Sequence, residues 1–228
     1  MGHSNFRLEW YGTDDENTKK KWDELRLFLE LNPCFINNMQ SIIELDFFKY
    51  FLNDLSEFNL TSEAKLCRAR IGIHTKKDEL GAPPKHLASP GRLNLAGTRY
   101  LYLADSVDTA IRETRACEGV KITTAEFRVM GKIGLRLVDF HASKPKKGND
   151  SANLVNRQFS LPNDFGKPEE YKVTQCITEF LRSKGYDGVR YDSSLRPGGI
   201  NYAIFDPEKM EIYNFKKTCV EYVVRQVK

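Results

Sequence analysis

Histidine is scarce in this chain and no cysteine has a close partner, and these two shortages exclude much chemistry at the outset. The four histidines (His3, His74, His86, His141) are dispersed, with no HExxH pattern. The five cysteines (Cys34, Cys67, Cys117, Cys176, Cys219) are an odd number and include no CxxC pair. Neither set offers zinc-ligand spacing, so no metal is expected. The cysteines read instead as small apolar residues in a reducing compartment. There is no GxxxxGK[ST] loop and no GxGxxG between a strand and a helix, which argues against P-loop and Rossmann enzymes. No GxSxG elbow exists, and no histidine sits near a plausible serine nucleophile. No apolar run approaches the roughly 20 residues of a membrane-spanning helix. The start, MGHSNFRLEW, lacks the apolar core of a secretory signal, so the expected location is cytoplasmic.

What is present suits one substantial core: 228 residues, 40% apolar and 29% charged. The net charge of +4 hides an asymmetry. Residues 1–65 carry 7 Lys/Arg against 12 Asp/Glu, whereas residues 66–228 carry 28 against 19. The basic part would attract an anion, but a solvated surface explains the same count. The break suggests an acidic helical region over 1–62 and a second domain over 63–228.

Residues 16–31 predict an amphipathic helix, with Trp22, Leu25, Phe28 and Leu29 at helical spacing and Asn32-Pro33 as its stop. A second helix is expected over 40–55. From Leu66 the pattern turns extended. LCRARIGI (66–73) alternates, placing Arg68 and Arg70 on one face, where they need anionic partners or water. Residues 74–98 form a long loop of the kind that often carries function. Strands follow over 123–130 and 134–140, a polar surface excursion over 141–168, and a helix over 169–184 with Gly185 just beyond it. YDGVRYDSS, INYAIFD and EIYNFKK read as strands, and TCVEYVVRQV as one more edge strand. Strands outnumber helices and few are joined by helical crossovers. The fold class is therefore α+β, with mainly antiparallel, twisted sheets and flanking helices.

The chain centres on GRLNLAGTRYLYLADSVDTAIRETR (91–115): a glycine-flanked loop, a strand over 100–104, and a helix with Ser106 as N-cap. Arg92, Tyr102 and Glu113 lie close together on that unit. A cation, an aromatic face and a carboxylate are what a site needs to hold and cleave a phosphorylated, aromatic, glycosidic molecule. Taken singly, each is ordinary. Glu113 falls on the flank of the stripe Val107, Ala110, Ile111, Thr114, as a solvated glutamate would. Tyr102 reads as a core or edge aromatic, Arg68 and Arg70 as a surface face, and Ser193-Ser194 as turn residues.

Their order along the chain is more specific. LCRARIG, then GAPP, then the 91–115 block, then YKVTQCITEFLRSKGYDGVRYDSS, then GGINYAIF resembles the RES domain family over about residues 66–206. That resemblance implies an ADP-ribosyltransferase-like (RES) fold and an NAD-consuming enzyme, commonly the toxin of a toxin–antitoxin pair. Carried across, the family's arginine matches Arg68, with Arg70 as rival. Its aromatic matches Tyr102, its glutamate Glu113, and its serine Ser193, with Ser194 as rival. Arg92 and Asn94 of the GRLN loop and Asn201 match further polar, substrate-binding positions. NAD is then expected as substrate, cleaved at the nicotinamide–ribose bond. An ADP-ribosyltransferase or an NAD phosphorylase would use the same donor site. A cognate antitoxin or inhibitory protein is the implied partner, with no membrane or nucleic-acid role, and a homo-oligomer is left open. A reading of another class, a non-enzymatic basic module binding nucleic acid or a protein, predicts exposed aromatics among the Lys/Arg residues. Most aromatics here sit at apolar-periodic positions instead.

Overall fold

The computed structural model describes residues 16–32, 48, 51, 55–141, 150–161 and 171–219. Helix α1 (Glu16–Leu31) has the predicted bounds and buries Trp22, Leu25 and Leu29. The predicted helix over 40–55 lies outside the described residues except at Phe48, Phe51 and Leu55. Phe48 and Phe51 are helical and buried, Phe48 with its ring 4.3 Å from that of Phe180.

Eight strands form one sheet: β1 (Ser56–Leu60), β2 (Leu66–Ile71), β3 (Leu101–Ala104), β4 (Lys121–Val129), β5 (Leu135–Asp139), β6 (Gly188–Asp192), β7 (Ile200–Ile204) and β8 (Met210–Cys219). Their order is β1-β5-β6-β7-β3-β2-β4-β8. Every neighbouring pair is antiparallel except β5 and β6. That parallel pair needs a crossover, and two helices supply it: α3 (Asp150–Ser160) and α4 (Lys172–Ser183). The short helix α2 (Val107–Glu113) follows β3, with Ser106 Oγ accepting from the Thr109 amide as its N-cap. This is the α+β class expected from the sequence.

Three local differences from the sequence reading stand out. Strand β1 was not anticipated: SEFNL is short and pairs only with β5 at the sheet edge. Because β1 belongs to the sheet, that sheet begins before residue 62. Helix α3 overturns the polar excursion expected over 141–168. Its stripe Ala152, Val155, Phe159, with Leu154, is buried, but the preceding KPKKGND masks it in composition. The expected edge strand over 218–227 is described only at Thr218 and Cys219, where it continues β8.

Side-chain alternation divides the core between the two sheet faces. One face receives α1, α3 and α4: Leu25, Val155, Phe159, Ile177 and Phe180 pack there on Val138, Val189 and Ala203. The other collects Leu66, Leu101, Leu103, Phe127, Leu137, Ile204 and Met210. Helix α4 carries the predicted stripe, yet Thr174, Gln175 and Glu179 are buried as well. They serve the loop before β3. Thr174 Oγ1 donates to the Arg92 carbonyl at 2.6 Å, and Gln175 Nε2 donates to the carbonyls of Gly91 and Asn94 at 2.7 and 3.0 Å. Glu179 accepts from the Tyr100 hydroxyl at 2.8 Å. Gly185, just past the helix, takes φ 79°, the left-handed turn its lack of a Cβ permits.

Candidate active site

The sheet is nearly parted at its middle. β2 and β3 meet through a single residue pair, Cys67 opposite Ala104. A cleft of about 230 Å³ opens where they separate. It is lined by residues 67–69 of β2 and 102–104 of β3, together with Ala110, Glu113, Thr114, Tyr191 and Asn201. Successive strand residues point to opposite faces, so three in a row from each strand share a cavity only if it lies between the strands.

Arg68 and Tyr102 reach this cleft from the two parted strands, and Glu113 reaches it from the last position of α2. Arg68 Nη1 is shut off from solvent and has no hydrogen-bond partner among the described residues. Burial, and then the neighbouring Arg70, lower the Arg68 pKa to about 10. The guanidinium is still charged at neutral pH, and its surroundings favour an incoming anion. Burial pushes the Cys67 thiol up to about 11, so it is an inert wall and not a nucleophile.

Glu113 is exposed as a residue but fixed at one oxygen. Its Oε1 accepts from Ser193 Oγ at 2.6 Å and from Asn201 Nδ2 at 2.8 Å. Oε2 carries no such bond among the described residues. The Ser193 hydroxyl also accepts from the amides of Leu195 and Arg196, at 3.3 and 3.1 Å. It is therefore fully engaged in holding Glu113 and the following turn. That turn is tied to α2 twice more. Arg196 Nε donates to Asp108 Oδ2 at 2.6 Å, and Gly199 sits so close to α2 that a Cβ there would lie 2.8 Å from Thr109 Oγ1.

Tyr102 donates to Asn94 Oδ1 at 2.7 Å, and burial raises its phenol well above the ordinary range. Asn94, 5% exposed, also donates to the carbonyls of Ser89, Leu95 and Thr98 at 2.9, 3.1 and 3.1 Å. It is the knot of the loop, spends its donors there, and does not line the cleft. Arg92 does not line it either: its Nη1 donates to the Gln158 carbonyl of α3 at 2.9 Å and its guanidinium lies 5.1 Å from the centre of the Tyr171 ring. Arg70 Nη2 donates to the Gly81 carbonyl at 3.2 Å, which leaves Arg68 as the arginine of the cleft. Ser194 is exposed and lies outside the cleft lining. The fold thus brings Arg68, Tyr102, Glu113 and Asn201 together, with Ser193 directly behind Glu113. Arg70, Arg92, Asn94 and Ser194 stand outside the lining.

Sequence reasoning missed Tyr191 and the backing helix α3. Tyr191 lines the cleft beside Asn201 and packs its ring edge-on to Phe159 of α3, with centroids 5.7 Å apart. Asn156 of α3 grips the next residue, Asp192, by donating Nδ2 to Oδ2 at 2.7 Å and accepting the Asp192 amide at 3.1 Å. The only signal available was YDGVRYDSS itself, whose alternation puts Tyr191 on one face with Val189 and Ser193. Among the described residues no cluster of His, Cys, Asp and Glu could hold a metal ion.

A family model described as the RES domain matches residues 65–220. No curated protein matches the chain. Among solved structures, a chain of the crystal structure of the M. tuberculosis MbcT–MbcA toxin–antitoxin complex is similar, with a TM-score of 0.51 at 15% identity. The alignment covers 75% of this chain and 91% of that one. At such identity the likeness speaks for the fold alone.

Proposed function

The chain belongs to the RES domain family, and on that premise we propose that it consumes NAD by cleaving the nicotinamide–ribose bond. One observation supports this above the rest: Arg68, Tyr102 and Glu113, from separate elements, line one cleft in which a buried guanidinium nitrogen lacks a hydrogen-bond partner among the described residues. NAD supplies a pyrophosphate for the guanidinium, a cationic ring for the aromatic and a ribose hydroxyl for the carboxylate. At about 230 Å³ the cleft is below the usual range for a whole ligand. It accepts the nicotinamide riboside end and the adjoining phosphate at Arg68, while the rest of the dinucleotide lies across the open rim.

Breaking the C1′–N bond leaves its electron pair with nicotinamide and builds positive charge on the sugar, as in glycoside hydrolysis. Glu113, held through Oε1, offers Oε2 to a ribose hydroxyl and stabilises that charge where it develops. Ser193 and Asn201 position Glu113, and the Ser193 hydroxyl is spent on Glu113 and the following turn. Water then adds to the sugar, giving ADP-ribose, nicotinamide and one released proton. Nicotinamide leaves neutral, so no strong general acid is required.

The biological role proposed with this activity is that of a toxin restrained by a cognate antitoxin, acting in the cytoplasm. The solved relative comes from a toxin–antitoxin complex, and an unrestrained NAD consumer harms its host. Among the described residues no helix is long and apolar enough to cross a membrane. Mass spectrometry of NAD incubated with the protein should show ADP-ribose and free nicotinamide in equal amounts. ADP-ribose-1″-phosphate formed only when phosphate is added would make the enzyme a phosphorylase. A mass gain on protein or nucleic acid would make it a transferase. NAD left intact under all conditions sinks the reading.

A further inference from the structure

Tyr100, Tyr102 and Tyr191 lie at or behind the cleft, and the protein satisfies the first two. The Tyr100 hydroxyl is bonded to Glu179 at 2.8 Å and that of Tyr102 to Asn94 at 2.7 Å. The third, Tyr191, is 7% exposed, and its hydroxyl has no protein partner among the described residues, although its side chain lines the cleft. The hydroxyl is not one of the side-chain atoms shut off from solvent without a partner, so it opens into the cleft, where a ligand can take its hydrogen bond.

Strand register places Tyr191 beside the reacting region. Tyr191 of β6 stands opposite Asn201 of β7, and Asn201 stands opposite Ala104 of β3. Residues opposed in this way share a sheet face, with Cβ atoms about 5 Å apart. Asn201 also donates to Glu113 Oε1 at 2.8 Å. Tyr191 and Glu113 are thus neighbours across one asparagine, while the edge-on contact with Phe159 limits where the Tyr191 ring can swing. Burial, with Tyr102 and Glu113 adding to it, holds the phenol well above its ordinary range, so it remains a neutral donor at physiological pH.

We propose that Tyr191 contacts substrate directly, its hydroxyl donating a hydrogen bond to the nicotinamide riboside end of NAD beside the ribose that Glu113 engages. This rests on the NAD reading above and adds a residue to it. Tyr191 then helps set which base and sugar the cleft accepts, a role distinct from the anion contact of Arg68.

The test is Tyr191→Phe, which keeps the ring and removes only the hydroxyl. Because that hydroxyl has no protein partner, the variant should melt at or above the parental temperature without ligand. Its kcat/KM for NAD should fall about 10- to 100-fold, the loss expected when a site loses one hydrogen bond to its substrate. In a Glu113→Gln background, where NAD is consumed too slowly to interfere, calorimetry should show that adding Tyr191→Phe weakens NAD binding about tenfold. A kcat/KM within twofold of an active parent overturns the assignment while leaving the NAD reading intact. A lower melting temperature with activity lost in proportion also overturns it, since Tyr191 would then be structural. A parent that does not consume NAD removes both proposals together.

Discussion

Two strand arginines, Arg68 on β2 and Arg190 on β6, meet opposite fates within one sheet. Arg190 is closed on every side. Its Nε and Nη2 donate to Asp139 at 2.6 and 2.7 Å, and its guanidinium lies 3.8 Å from the centre of the Phe58 ring. Burial alone would lower its pKa, but the bonds and charge of Asp139 outweigh that and raise it. Arg68 has burial without a carboxylate, and its pKa falls to about 10. The difference follows from the sheet. β5 and β6 are fully zipped where Arg190 and Asp139 stand opposite one another, whereas β2 and β3 part beside Arg68. A guanidinium answered within the fold contributes to structure, and one left unanswered in a cleft is available to a ligand.

That contrast breaks most sharply at the carboxylate meant to work with Arg68. Glu113→Gln should lower NAD turnover about thousandfold, the scale of losing a group aimed at developing transition-state charge. NAD affinity measured by calorimetry should stay near parental. Turnover at the parental rate would take Glu113 out of the chemistry.

Next in size is Arg68→Met. Removing an uncompensated buried cation should raise the melting temperature by a few degrees while weakening NAD binding about a hundredfold. Lower stability with unchanged affinity would mean that Arg68 is a structural residue like Arg190.

Arg190→Met should do the reverse. Leaving Asp139 buried without its partner costs about 2–3 kcal/mol, read from denaturant unfolding. The kcat of the remaining folded enzyme should stay within about twofold. Parental stability would show that the closed pair contributes nothing and would blur the distinction.

The smallest effect is with pH. The Arg68 pKa is lowered in the fold, so the guanidinium is charged below about 10 and loses its proton as pH rises through that value. ADP-ribose affinity should be flat through neutral pH and fall about fourfold by pH 10.5, in line with the fraction of guanidinium still charged there. The same titration relieves the cost of the buried charge, so ligand-free stability should gain between about pH 10 and 12.5 from this group. Arg68→Met should show neither trend. An equal decline in that variant would assign the pH effect elsewhere.

The periodic elements were legible in the sequence: α1 to the residue, the 66–71 strand, the 101–113 strand–helix unit with its Ser106 cap, and the buried stripe of α4. Local spacing specifies these directly, because a side chain's face follows from its position in the repeat. Helix α3 and β1 were not legible, one being hidden among polar residues and the other only five residues long. For the site, block order marked Arg68, Tyr102, Glu113, Ser193 and Asn201. It also marked Arg70, Arg92, Asn94 and Ser194, which lie outside the cleft lining.

By itself the sequence determined on which element each of the marked polar residues rides. Only the tertiary structure decided their division of labour. Whether a polar side chain meets a ligand or spends its bonds within the protein depends on neighbours distant along the chain. Ser193 turned to Glu113, Asn94 to Tyr102, Arg92 to the carbonyl of Gln158, while Arg68 kept its Nη1 without a hydrogen-bond partner among the described residues. Hydrogen-bond saturation is a property of three-dimensional packing, and no spacing along the polypeptide encodes it.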